Sequence, residues 1–356
     1  GACARTRLLQ RLRRIRLAKF EERPLIVLVG GDSLLAKEIR ELLEAEKPAP
    51  RLELISATVD NAVVVAKAAF MGDQEDESLV MNPLTAASLE GAGVAMLAGS
   101  AASARRTQKL VASGKPVLID LTGALEDLPN ARLRAPLVET STQAADHNAV
   151  HVIANAAAIS IAKLLSSLAK VGTIRRSIVH VFEPASERGR KGLDELQQQT
   201  VAVLSFQKLK TDVFDAQLSF NLLARYGEEA EEPLETVEQR VEKHLASLLS
   251  SHKDIPMPSV RLVQAPVFHG HSFSLWVEFE ESPGVPAVGS ALAAEGIDVR
   301  PDEPPSNAKI AGESGLSVGA ISQDANHPRA YWLWAVADNL RMAAEHAVAV
   351  AKEILG

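Results

Sequence analysis

His269 and His271 stand two residues apart in the segment Val263-Gln-Ala-Pro-Val-Phe-His-Gly-His-Ser. On an extended strand that spacing turns both imidazoles to one face, where they suit proton transfer or the start of a zinc site. No neighbouring Cys, Asp or third His completes a metal set, so no metal is expected and a retained polar pair or proton chemistry is left. A second group is cationic: Arg188, Arg190 and Lys191 gather where the small-residue loop Glu183-Pro-Ala-Ser-Glu-Arg-Gly opens a helix. A solvated face is the ordinary use of such a cluster, and with Ser186 it would also suit a small anion. A third group is the turn Gly30-Gly-Asp-Ser-Leu-Leu-Ala, of the kind that brings a phosphate to a helix N-terminus. Thiol chemistry has one candidate, since Cys3 is the only cysteine.

The elements that hold these groups are legible as periodicity. Residues 24–30, Pro-Leu-Ile-Val-Leu-Val-Gly, form a short apolar β-branched run ending at glycine, and the stretch from Ser33 has helical apolar spacing. Strand, glycine turn and helix open a nucleotide-binding βαβ unit. Apolar runs at 52–57, 94–97 and 116–119 continue the alternation and imply a parallel sheet covered on both faces. From about 149 the texture changes. Strands are predicted at 177–182, 217–221, 259–267 and 273–280 with long helices between, an α+β layer. The acidic segment 228–242 reads as a solvated loop entering a helix, with Thr236 and Gln239 as a capping box. Residues 338–355 read as an alanine-rich amphipathic helix. The spacing of Trp332 and Trp334 suggests packing on a strand.

Charge divides the chain unevenly. Residues 1–19 carry seven cations and no acid, so removing them from the net −7 leaves −14 for the rest. An acidic body argues against nucleic acid as a partner. Leu8, Leu9, Leu12 and Ile15 form an apolar stripe beside the arginines; a terminal extension is the expectation, with membrane contact through residues 1–19 disfavoured. A single cysteine excludes a disulfide framework and fits a reducing cytoplasm.

Three collinear segments carry a resemblance: 183–196, 263–272, and Trp334-Ala-Val-Ala-Asp-Asn-Leu-Arg. Their order and spacing resemble the aspartate-semialdehyde dehydrogenase family, and the Val-Gln-Ala-Pro-Val-Phe form is most similar to its Usg-type paralogues. The resemblance implies an α/β fold: a Rossmann-like parallel sheet domain plus an inserted α+β substrate and dimerisation domain. The expected boundaries are a basic extension over 1–22, the Rossmann-like domain over 23–148 and 331–356, and the dimerisation-like domain over 149–330. It also implies a homodimer, with a small-molecule ligand or a related dehydrogenase subunit as further partners.

In that family a cysteine thiolate at a helix start attacks the aldehyde, hydride passes to NADP, and phosphate releases the acyl group. The matching stretch here is Ile153-Ala-Asn-Ala-Ala-Ala, which keeps Asn155 and puts Ala158 at the nucleophile position. A methyl group forms no thioester. The family's orienting glutamine aligns with Glu183. Its substrate-binding arginine aligns with Gln264, and a neutral amide cannot replace a bidentate cation. His271 survives from the acid/base pair, and Ser272 follows it as the motif requires.

NADP or NAD would be held, by the same resemblance, at Gly30, Gly31, Ser33, Ala36, Gly99 and Asn339, with Asp60 as a ribose partner. Ser33 and Ala36 stand where the family has glycines, and Asp32 would repel phosphate. Asp120 and Glu139 match family positions too, as capping or solvated carboxylates. The expectation is a homologue without the thioester reaction, acting by binding, regulation or subunit pairing. The alternative is an NAD(P)-dependent oxidoreductase in which His271 is a general base.

Overall fold

A computed structural model describes residues 23–57, 64–68, 77–111, 114–139 and 146–356. The arginine-rich extension with Cys3, and Asp60, lie outside the described residues. The chain divides into two compact units. The first takes 1–132, 144–152 and 347–356, and the second 133–143 and 153–346.

The first unit is built on β1 (Leu25–Val29), β2 (Arg51–Ile55), β5 (Val94–Leu97), β6 (Val117–Asp120), β7 (Ala131–Arg134) and β8 (Val150–Ile153), with a separate hairpin of β3 (Val64–Ala68) and β4 (Glu77–Met81). The sheet order is β2-β1-β5-β6-β8-β7, and the pairs β1–β2, β1–β5, β5–β6 and β6–β8 are parallel. Every residue of β1, β5 and β6 is buried, the condition that a continuous apolar run without alternation anticipates. The helix α1 (Leu34–Ala45) follows the Gly30 turn and buries Leu34, Ala36, Ile39 and Leu43, an i, i+3, i+4 stripe. The helix α2 (Ala101–Leu110) follows β5, and Ser100 and Ser103 close a reciprocal capping box at its start.

The second unit is a mixed sheet: β9 (Ile174–Glu183), β10 (Ser259–Gln264), β11 (His271–Phe279), β12 (Asp298–Arg300), β13 (Ser317–Gln323) and β14 (Ala330–Ala337), in the order β10-β9-β11-β14-β13-β12. The pairs β10–β9 and β12–β13 are parallel, and the pairs β9–β11, β11–β14 and β13–β14 are antiparallel. Alternate residues of the long strands, among them Val179, Val181, Leu262, Phe273, Leu275 and Leu333, are buried. The helices α3 (Ala156–Leu168), α5 (Leu234–Leu249) and α6 (Val285–Ala294) pack together and onto the sheet, while α4 (Gly189–Leu204) follows the small-residue loop. Each fully buried Leu, Val or Phe contributes roughly 1.5–3 kcal/mol, so this face holds the unit. A parallel sheet domain and an α+β domain are thus both present.

Four local expectations need correction. Residues 217–221 are not a strand. Oε1 of Gln199, buried in α4, accepts from the backbone N–H groups of Leu218 and Ser219 at 2.7 and 3.1 Å, and Phe220 has φ +59°. A side chain has therefore taken the bonds that a sheet would need. Thr236 lies inside α5, which starts after Pro233 with no side-chain cap, so there is no capping box. The strand beginning at 259 ends at Gln264, and β11 begins earlier than predicted, at His271. At the domain level, β8 is in the first sheet, β14 is a central strand of the second, and only residues from 347 onward return to the first unit. The helix α8 (Asn339–Leu355) runs through that last boundary.

Candidate functional site

In the second unit the three chemistry-bearing segments meet at the ends of neighbouring strands. Gln264, the last residue of β10, pairs in register with Glu183, the last of β9. Ser272 pairs with Phe182, so His271 stands opposite Glu183 on the other side. Lateral neighbours in a sheet share a face, and Gln264, Glu183 and His271 therefore form one row on the buried face. All three are 1% exposed or less.

Each member of the row is held differently. The Gln264 amide is fully engaged: Oε1 accepts from the Tyr226 hydroxyl at 2.6 Å, and Nε2 donates to the carbonyls of Glu183 and Ala265 at 2.8 and 3.2 Å. Oε1 of Glu183 lies 3.6 Å from Nη2 of Arg188, an ion pair beyond hydrogen-bond distance, and accepts no hydrogen bond. The Arg188 guanidinium serves Glu232 instead, donating from Nη1 at 2.5 Å, and it lies 5.3 Å over the Tyr226 ring. Burial then dominates at Glu183 and pushes its pKa up to about 8, against the lowering pull of Arg188. Burial likewise raises the Tyr226 phenol. Arg240 completes the network by donating to the other oxygen of Glu232 at 3.0 Å.

His271 has both ring nitrogens buried without a hydrogen-bond partner. Nε2 lies 3.7 Å from Oε1 of Glu187, and burial lowers the pKa despite that carboxylate and Asp338. Glu187 in turn accepts from Nδ2 of Asn339 at 2.8 Å, while Oδ1 of Asn339 accepts from the Ser186 hydroxyl and the Gly270 N–H, both at 3.1 Å. Asn339, expected at a cofactor, has its amide engaged in this cluster. Ser272 donates to Oδ1 of Asn307 at 2.7 Å, in the short helix α7 (Asn307–Ile310). His269 precedes the strand and so does not share its face with His271 by strand alternation; its pKa is also lowered by burial. Among the described residues no group of three His, Cys, Asp or Glu is arranged to hold a metal ion.

The position expected for the nucleophile lies in the first turn of α3. Asn155 caps that helix, its Oδ1 accepting from the Ala157 N–H at 2.8 Å, and Ala158 two residues beyond Ala156 is completely buried. The Asn155 N–H itself donates to Nδ1 of His244, at 2.9 Å. That histidine carried no signal in the sequence beyond its helical spacing. Arg188 was visible but as a solvated cation, and Tyr226, Glu187 and Glu232 were not anticipated in the site. Only one of the two tyrosines in the chain, Tyr226, reaches this cluster.

The Gly30 turn belongs to the first unit. Gly30 has φ +83°, and a Cβ there would lie 2.4 Å from Cα of Gly99. A Cβ on Gly31 would meet Leu54 at 2.9 Å, and one on Gly99 would meet Ser103 and Ala57. The missing side chains are therefore accounted for by the protein's own packing. The Ser33 hydroxyl accepts from the Ala36 N–H at 3.0 Å, Ala36 is completely buried, and Asp32 is exposed. With a side chain engaging a helix-start amide and a carboxylate beside it, these residues do not fit a pyrophosphate cradle. Asp120 is buried and accepts from Thr122 and Leu125, which makes it a turn cap. Glu139 takes a bidentate pair from Arg134 and the Ala135 N–H. Trp276 and Trp332 both donate their indole N–H to Asp324, and Trp334 donates to the Pro305 carbonyl.

A family model described as semialdehyde dehydrogenase, dimerisation domain, matches residues 165–342. An aspartate-semialdehyde dehydrogenase from Prochlorococcus marinus is 26% identical over 94% of this chain and 97% of its own. A USG-1 protein homolog from Pseudomonas aeruginosa is 29% identical over 90% of this chain and 94% of its own. Among solved structures, a probable aspartate-semialdehyde dehydrogenase from Pseudomonas aeruginosa has a TM-score of 0.76 at 26% identity, covering 93% of this chain and 98% of the other. An aspartate semialdehyde dehydrogenase with NADP from Candida albicans, at 16% identity and a TM-score of 0.63, covers 93% of this chain and 98% of the other and shares the fold.

Proposed function

The chain belongs to the semialdehyde dehydrogenase family, and we propose that it is a member without the thioester-forming reaction, acting through binding, regulation or subunit pairing. One observation carries this reading: the helix start that would present a thiol carries a buried methyl group at Ala158, while the chain's only cysteine is Cys3. The rest of the site supports it. Where the family resemblance asks for a substrate-binding arginine, Gln264 is fully engaged within the protein. The cation that is present, Arg188, is neutralised by Glu232. A substrate carboxylate would have to displace an internal ion pair.

The partner proposed is a second copy. The matched region is described as a dimerisation domain, and within it Val201, Leu204, Phe206, Phe220 and Leu222 are exposed, Phe206 to 97%. Apolar surface on that scale belongs to contacts more often than to open solvent.

The deciding experiment is an NADP reduction assay with aspartate semialdehyde and phosphate on the purified chain. Turnover above a heat-treated control would refute the reading. The alternative, an NAD(P)-dependent oxidoreductase with His271 as base, is favoured by two buried ring nitrogens that make no hydrogen bond, but needs a cofactor at the Gly30 turn. A thermal shift with NAD or NADP at about 100 times a workable dissociation constant would add about 2.7 kcal/mol. No shift removes that alternative.

A further inference from the structure

Five large apolar side chains stand exposed along one stretch of the second unit: Val201 and Leu204, one turn apart on α4, then Phe206, Phe220 and Leu222 in the segment that follows. Phe206 and Phe220 are held at φ +54° and +59°, a backbone region that bulky side chains seldom take, so neither exposure is the relaxed choice of the local chain. Beside this ridge lies a pocket of about 470 Å³, with Val201, Ala202, Gln207, Lys208 and Lys210 among its lining. An apolar wall and a cationic rim thus belong to one depression. Lys208 makes no ion pair among the described residues, and Lys210 pairs with the exposed Asp212 at 3.3 Å.

The same stretch carries the opposite charge a short way on. Glu228, Glu229, Glu231 and Glu235 are exposed where the chain turns into α5, and no described residue pairs with their carboxylates. That turn is tied to the segment bearing the apolar groups. The Glu229 N–H donates to Oδ2 of Asp215 at 3.0 Å, and the Gly227 N–H donates to the Phe214 carbonyl at 3.1 Å. Nε2 of Gln199, in α4, donates to the carbonyls of Lys210 and Ala216 at 2.8 and 3.0 Å. Cationic pocket, apolar ridge and acidic turn are therefore parts of one surface held together by internal bonds.

That combination selects its occupant. Removing the seven cations of residues 1–19 from the net −7 leaves −14, so two copies repel unless cations of one meet acids of the other. An acidic partner of another kind would satisfy the pocket and leave the acidic turn unmatched, and a basic one would do the reverse. A second copy related by a two-fold axis satisfies both, because in such a contact each half of the patch meets its complement on the other chain. The exposed apolar groups then supply the area between the two charge contacts.

We propose that a second copy seats its acidic turn, through Glu228 and Glu229, in the Lys208–Lys210 pocket and receives the same contact in return. This rests on the reading of a second copy as partner, and the test separates the two. Two fluorescently labelled preparations are mixed, and subunit exchange is followed by energy transfer. In one variant Lys208→Glu and Lys210→Glu set acids against acids. In the other, Glu228→Lys and Glu229→Lys set cations against cations. Each variant alone should exchange about tenfold faster than the parent, with circular dichroism unchanged. Mixed with each other they restore both contacts, and the mixed dimer should dissociate at the parent rate. The same charge changes placed in the first unit, Lys47→Glu with Lys115→Glu against Glu44→Lys with Glu90→Lys, should leave exchange unchanged.

Unaltered exchange in the pocket and turn variants, no recovery on mixing, or the same behaviour in the first-unit pair overturns the inference and leaves the second copy as partner. A chain that stays monomeric at every concentration refutes that partner and this contact together.

Discussion

Replacing Glu183 with glutamine should change how stability depends on pH more than stability itself. The carboxyl is completely buried, and Arg188 approaches it only to 3.6 Å while bonding Glu232 at 2.5 Å. Its pKa accordingly rises from 4.5 to about 8, with burial the leading cause. The unfolded chain therefore releases this proton near the lower value and the folded chain near the upper one. Between them the folded state binds one proton more. The contribution is fully present below the lower value, declines by roughly 1–2 kcal/mol per pH unit, and is gone above the folded pKa.

Glutamine has the same shape and no proton to lose. Urea titrations of both proteins at pH values of about 5.5, 6.5 and 7.5 isolate the difference, because other titrating groups are shared. Glu183→Gln should gain about 2–3 kcal/mol relative to the parent across that range. In a unit of this size that is a relative rise in Tm of roughly 5–10 °C. Parallel curves for the two proteins would refute the claim that burial outweighs Arg188 at this carboxyl.

Other perturbations follow from the same geometry. Gly30→Ala combines a left-handed φ with a 2.4 Å approach to Gly99, so a loss of roughly 3 kcal/mol or more is expected, read by denaturation. Asn155→Ala removes the cap of α3 and should cost about 1 kcal/mol in the same measurement. Ala158→Cys alone should leave the NADP assay at background, because Gln264 and the Arg188–Glu232 pair are unchanged. Phe206→Asp, at a position 97% exposed, should leave folding intact by circular dichroism and shift the mass by light scattering towards a monomer. An unchanged mass would exclude that surface as the contact between copies.

Among the described residues no helix is long and apolar enough to cross a membrane. Much of the architecture follows from local patterns that survive folding. A buried parallel strand reads as an unbroken apolar run, and Leu25–Val29 and Val94–Leu97 are such runs. Gly30 announces a turn because few other residues tolerate its φ. That position 158 holds alanine needed no structure, since a residue type is a property of the chain alone. Sequence distance misled where partners were remote. Residues 217–221 have the composition of a strand, and only the buried Gln199 of a preceding helix diverts their N–H groups.

The sequence by itself determined that positions 158 and 264 hold Ala and Gln, that Cys3 is the chain's only cysteine, and that a parallel α/β layer and an α+β layer share the chain. Tertiary structure alone decided how the site residues stand together. Strand register brings Gln264, Glu183 and His271 into one row from segments about 80 residues apart. Packing then seals the row from water, and burial raises the Glu183 carboxyl to about 8 and lowers the His271 imidazole. Arg188 reads as a solvated cation in the chain and becomes a counter-ion only because Tyr226 and Glu232 fold over it. Burial and counter-ion pairing depend on non-local contacts, and no local spacing encodes them.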